Sequence, residues 1–165
     1  MKPKENESFQ VVMNKITQLL SYRSHTIFEL RRKLRQREYS PELIEEAIRK
    51  AVEYKWLDDV AATEQYINEQ KRKGGHGRCW IEARLIDKGI SRKIIDSQIS
   101  KMWTDDIEKK LIYQLFNKLL STNKGKTKQD NLKNRVYRAA MNRGFNSEIS
   151  LLVFEEINSK RDREH

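Results

Sequence analysis

The sequence predicts an all-α protein made of tandem three-helix-bundle repeats that form an elongated, curved molecule. Three observations lead there. Nearly every segment spaces its apolar residues at helical period. Only 6 glycines and 2 prolines interrupt 165 residues. One block also recurs three times without a gap, as "ELRRKLRQREYSPELIEEAIRKA" from Glu29, "WIEARLIDKGISRKIIDSQISKM" from Trp80 and "RVYRAAMNRGFNSEISLLVFEEI" from Arg135.

Each element has a local reason. A leading helix is predicted over 7–22. The stretch "RSHTIFELRRKL" then opens the first repeat. Thr26 and Glu29 have capping-box spacing, and Ile27, Leu30 and Leu34 form an apolar stripe at i, i+3 and i+7. In the aligned blocks Leu30, Ile81 and Val136 correspond, as do Leu34, Leu85 and Ala140. Glu38, Gly89 and Gly144 fall at the turn, beside Tyr39, Ile90 and Phe145 and the caps Ser40, Ser91 and Asn146. The following helix is expected to bury Leu43, Ile94 and Ile149, with Ile48, Ile99 and Phe154 further along. Third helices start at Asp58-Asp59, running to about 71, and at Thr104-Asp105-Asp106, running to about 120. Acid there favours the positive end of the helix dipole. The breaks are "KRKGGHG" (71–77) and "STNKGKTKQD" (121–130). The expected organisation is a tail and leading helix over 1–22, repeats over 23–73 and 74–122, a partial repeat over 123–158 and a tail over 159–165. Units this small bury little alone, so neighbours are expected to stack end to end.

Composition narrows the function. Charged residues make up 35% and hydrophobic residues 37%, the latter below the roughly 45–50% usual for globular domains, so much helix surface faces water. A net charge of +10 favours nucleic acid, an acidic protein surface or an anionic membrane as partner. With no apolar run long enough to span a bilayer and no signal-like core, a cytoplasmic protein is expected. The single cysteine, Cys79, excludes an intramolecular disulfide and fits a reducing compartment.

No catalytic constellation emerges. His25, His76 and His165 are scattered, "KGGHGRC" lacks the phosphate-loop pattern, and Cys79 reads as a half-buried packing residue. The acidic pairs read as caps, and Trp56, Trp80 and Trp103 mostly as core. No enzyme, metal or cofactor is expected.

The basic clusters carry the functional signal. Five basic residues lie between Arg31 and Arg37, and others gather at Lys71, Arg72 and Lys73, at Lys88, Arg92 and Lys93, and at Lys124, Lys126, Lys128 and Lys133. Three helices with a tight turn suggest a helix-turn-helix reader of DNA. In the first repeat, however, the recognition half would read "SPELIEE", and Glu42, Glu45 and Glu46 would repel a duplex. Weak, salt-sensitive backbone contact remains open, as does an acidic or mixed-charge protein surface.

Taken together these residues resemble the bacterial RecX family, regulators of the RecA recombinase, over about residues 23–158. "RSHTIFELRRKL" is similar to the family's opening helix. "WLDDVAATEQYINEQKRKGGHG" resembles its Leu-Asp-Asp helix and basic-glycine exit, and "IEARLIDKGIS" its Lys-Gly-Ile-Ser segment. The chain departs from the family pattern at Lys55, where glycine is common, and at Arg78, Trp80 and Arg84. The resemblance implies a monomeric, non-enzymatic protein that binds the RecA–DNA filament and inhibits RecA ATPase, recombinase and strand-exchange activity. Candidate contacts to RecA or DNA are Arg31, Arg32, Lys33, Arg35, Arg37, Arg72, Lys73, Lys88, Arg92 and Lys93. The alternative is a helical DNA-binding module or transcription regulator acting independently of RecA.

Overall fold

A computed structural model describes residues 8–121 and 129–161, and every regular element among them is helical. The helices are α1 (Phe9–Tyr22), α2 (Ile27–Arg35), α3 (Pro41–Glu53), α4 (Asp59–Lys73), α5 (Arg78–Asp87), α6 (Arg92–Met102), α7 (Asp105–Ser121), α8 (Gln129–Asn142) and α9 (Ser147–Arg161). The all-α expectation holds. Two ends differ from the sequence reading: α4 runs on to Lys73, so Arg72 and Lys73 sit in its last turn rather than in a loop, and α9 continues to Arg161. The chain divides into two compact units, Met1–Gln65 with Leu85–Ile95, and Tyr66–Arg84 with Asp96–His165.

The first unit closes a core between α1, α2 and α3. Val12, Ile16 and Leu19 of α1 meet Leu30 and Leu34 of α2 and Ile44, Ala47, Ile48 and Ala51 of α3. The predicted capping box at α2 is present, with the Thr26 hydroxyl accepting from the Glu29 N–H and the Glu29 carboxylate accepting from the Thr26 N–H. The buried face of the following helix is one residue off expectation. Ile44 and Ile95 are fully buried, whereas Leu43 and Ile94 are half-buried. Ser40 and Ser91 accept from the N–H of Leu43 and Ile94 as helix caps, and Asn146 accepts likewise from Ile149, which is buried as expected, so the shift is confined to the first two copies. Packing in α3 starts at Ile44 and repeats at Ala47, Ile48 and Ala51.

The acidic pair Asp58-Asp59 caps two helices rather than one. Asp58 accepts from the N–H groups of Val60 and Ala61, at the start of α4. Asp59 instead accepts from the N–H of Ile27, 3.0 Å away at the start of α2.

In the second unit α7, α8 and α9 pack on one another, with Phe116, Val136 and Phe154 in contact at their core. Glu108, fully buried, accepts from the Trp103 indole N–H at 2.6 Å and from the Asn146 N–H at 2.7 Å. It thereby ties α7 to the turn before α9. The glycine break also packs tightly: Gly77 is buried, its N–H donates to the Arg143 carbonyl, and a side chain there would meet the Phe145 backbone at 2.4 Å.

The turn position shared by the three aligned blocks has one backbone geometry. Glu38, Gly89 and Gly144 have φ of 64°, 75° and 71°. Glutamate is strained there by roughly 1–2 kcal/mol relative to glycine. Glu38→Gly is therefore expected to raise the urea midpoint, by about 1 kcal/mol in unfolding free energy. Gly89→Ala is expected to lower it, because the new Cβ would lie 2.2 Å from Phe28 Cβ. Replacing Glu108 by Ala should cost about 2–4 kcal/mol by the same measurement, since two buried donors lose their acceptor.

Candidate binding surface

The predicted contact residues divide between the two units. Arg31, Arg32, Lys33, Arg35 and Arg37 share the first unit with Lys88, Arg92 and Lys93, whereas Arg72 and Lys73 belong to the second. Folding thus brings together two clusters more than fifty residues apart in sequence. The anchor is Glu29. Its carboxylate takes Lys88 Nζ at 2.9 Å and Arg23 Nη1 at 3.1 Å, while the Thr26 hydroxyl donates to the Lys88 carbonyl at 2.6 Å. Burial by itself would raise the Glu29 pKa. The hydrogen bonds from Lys88, Arg23 and the Thr26 N–H outweigh it and hold the group down at about 2.

The named cations are not equivalent. Arg31 is half-buried and makes a two-pronged pair with Glu45 of α3, Nε to Oε1 at 2.6 Å and Nη2 to Oε2 at 2.8 Å. That fork raises the Arg31 pKa and lowers that of Glu45. Lys88 points inward to Glu29, and Lys73 pairs with Glu69 at 2.5 Å. Arg32, Arg35, Arg37, Arg72, Arg92 and Lys93 are exposed, and Lys33 is half-buried. Lys124, Lys126 and Lys128 lie outside the described residues, as does the side chain of Lys133.

Arg31, Arg32 and Arg35 line a groove of about 380 Å³ with Phe28 and Gln36. Sequence reasoning passed over Phe28 and Gln36. A signal for Phe28 existed, an aromatic side chain standing off the apolar stripe of Ile27, Leu30 and Leu34; it is 41% exposed. Nothing local marked Glu45 as the partner of Arg31, fourteen residues away.

Trp103 is buried as expected, but Trp80 is only half-buried and Trp56 is exposed beside Tyr54. The Trp80 ring stacks on the His76 ring at 3.7 Å and has the Arg84 guanidinium 5.1 Å from its centroid. Cys79 is exposed rather than half-buried, and its backbone N–H donates to the Gly144 carbonyl. Desolvation, then Glu82 and Glu108, push its thiol pKa up, which disfavours the reactive thiolate. His25 is buried with Nδ1 2.8 Å from the Arg23 carbonyl. Among the described residues no three His, Cys, Asp or Glu side chains gather to hold a metal, and no helix is long and apolar enough to cross a membrane.

Among the described residues the protein is all-helical and carries a basic groove edged by Phe28 on α2. Residues 13–50 match the RecX first three-helix domain. Regulatory protein RecX of Haemophilus influenzae strain PittGG is 30% identical over 141 residues, covering 84% of this chain and 89% of that protein. Regulatory protein RecX of Listeria innocua is 27% identical over 150 residues, 91% of this chain but only 55% of its own length. The crystal structure of RecX from Lactobacillus salivarius superposes with a TM-score of 0.83 at 23% identity, covering 91% of this chain and 96% of that one. A second crystal structure, of regulatory protein RecX, gives 0.80 at 20% identity, covering 89% and 71%. The chain belongs to the RecX family of regulatory proteins.

The Glu29 clamp makes stability pH-dependent. Its folded pKa lies below the ordinary carboxylate value of about 4.3, so its contribution is full above that value and is lost as pH falls towards 2. Lys88→Met is expected to lower the unfolding free energy by about 1–2 kcal/mol near neutrality. Urea titrations should show that deficit shrinking below about pH 4 and vanishing once Glu29 is protonated in both proteins.

Proposed function

We propose that this chain binds the RecA–DNA filament and inhibits its ATPase, recombinase and strand-exchange activity, without catalysis of its own. Membership of the RecX family carries the reading. It is supported by a surface in which the cations of α2 and of the 88–93 segment share one unit while Arg32 and Arg35 are exposed, Arg35 close enough to Glu45 to help lower its pKa. The contacts assigned to RecA or DNA are Arg31, Arg32, Lys33, Arg35, Arg37, Arg72, Lys73, Lys88, Arg92 and Lys93. Of these, Lys88 acts by holding its turn against α2, and Arg31 by aligning the arginine face.

Repeats over 23–73 and 74–122, with a partial copy over 123–158, supply several weak contacts that multiply through effective concentration when subunits of a polymer are presented in series. Inhibition then follows from differential affinity for one filament state. The protein acts as a cytoplasmic monomer, and its direct affinity for DNA is weak and nonspecific.

DNA-dependent ATP hydrolysis by the cognate recombinase tests this. Substoichiometric chain should suppress hydrolysis, and the triple variant Arg32→Glu, Arg35→Glu, Arg37→Glu should need about tenfold more protein while keeping its helicity. A DNA-binding module acting without RecA would inhibit only by covering DNA, with potency set by DNA length and abolished by salt. Pure chain that leaves hydrolysis untouched rejects the proposal.

A further inference from the structure

Phe28, Arg31, Arg32 and Arg35 stand at i, i+3, i+4 and i+7, a single stripe lying about a third of a turn round α2 from the stripe of Ile27, Leu30 and Leu34. Phe28 is fixed from behind by the turn at Gly89, which leaves no room for a Cβ against its ring, while 41% of its surface stays open to solvent. Two guanidinium groups, on Arg32 and Arg35, line the same groove and are exposed, and Arg35 adds to the positive field that lowers the Glu45 pKa. The third, on Arg31, already holds a carboxylate in a fork, that of Glu45.

From this geometry we infer that the groove is a docking site for an acidic protein segment carrying an apolar side chain between its carboxylates, and that Glu45 fills one of the carboxylate positions in the free chain. The inference deepens the reading of α2 as a contact surface and rests on it. Charge complementarity picks the occupant. Arginine forks match discrete carboxylates in two-pronged fashion, as Arg31 does with Glu45. A continuous phosphate chain fits less well, because Glu38, Glu42, Glu45 and Glu46 are all exposed on the α2–α3 turn and α3. The Phe28 ring gives an incoming apolar side chain a desolvated seat, the arrangement of an aromatic anchor with a polar rim.

Fluorescence anisotropy with the full chain tests the assignment, using a fluorescein-labelled Asp-Glu-Glu-Leu-Glu-Asp peptide. The double variant Arg32→Ala, Arg35→Ala should weaken binding by at least about tenfold. A peptide with serine in place of leucine should bind more weakly to the unaltered chain. Glu45→Gln should tighten binding by up to about fivefold, because the Arg31 fork no longer has to be vacated and exposed pairs of this kind are worth at most about 1 kcal/mol. The discriminating result is tightening with Glu45→Gln beyond that with Glu42→Gln, which removes the same charge from exposed α3 without freeing the Arg31 fork; equal effects of the two would overturn the inference. The inference fails if the arginine variant binds the peptide unchanged, or if Glu45→Gln weakens binding. It fails equally if a single-stranded oligothymidylate displaces the peptide and loses affinity in the same variant, which would make the groove a nucleic-acid site. Peptide binding that is absent while inhibition of the recombinase persists removes the occupant and leaves the proposed function standing. Binding that behaves as expected in a chain without inhibitory activity does the reverse.

Discussion

Much of the first unit depends on the satisfaction of one buried carboxylate. Glu29 enters the interior as the third residue of α2, where it closes a capping box. A lone charge at that depth would be costly, so cations must come to it. One comes from Arg23, six residues before it, and the other from Lys88, 59 residues after it. Pinning Lys88 also pins the turn that follows. The Lys88 carbonyl is held by Thr26, and Gly89 lies against Phe28. The same clamp fixes the fold of 85–95 onto α2 and decides how Phe28 is displayed.

A second consequence is a division of labour among cations that look alike in the sequence. Lys88 is spent on the buried carboxylate of Glu29 and Arg31 on the exposed one of Glu45, whereas Arg32 and Arg35 face solvent. Ion pairs such as Arg78 with Glu82 or Lys73 with Glu69 lie on the surface, where they add little stability. Their use is orientational. The fork between Arg31 and Glu45 is of this kind: it links α2 to α3 and sets the direction of one guanidinium in the groove.

The acids show the same split between local and distant partners. Asp58 caps the helix it begins, as its place in the sequence indicates, but Asp59 reaches the start of α2. Glu108 lies within the acidic first turn of α7, yet its carboxylate is buried and bridges Trp103 to Asn146. In these two cases the charge serves the packing of one helix against the start of another. The dipole argument accounts for acids at these positions but not for the particular donors they meet.

The sequence alone determined what depends on neighbours within a turn or two: helical class, the capping box of Thr26 and Glu29, the serine caps at 40 and 91, and the recurring turn. The positive φ shared by Glu38, Gly89 and Gly144 was legible because alignment placed a glutamate where the other copies have glycine. Basic character on α2 was legible too, since five cations in seven positions cannot all face a core. Tertiary structure decided which of those cations remain available, because that turns on carboxylates brought from 14 residues away, for Arg31, and from 59 residues away, for Lys88. It also decided that Trp103 is buried while Trp56 is not, and that the packing face of α3 begins at Ile44. Capping and periodicity are short-range effects written in consecutive residues, whereas burial and pairing of a charge depend on which distant chain segment folding delivers beside it.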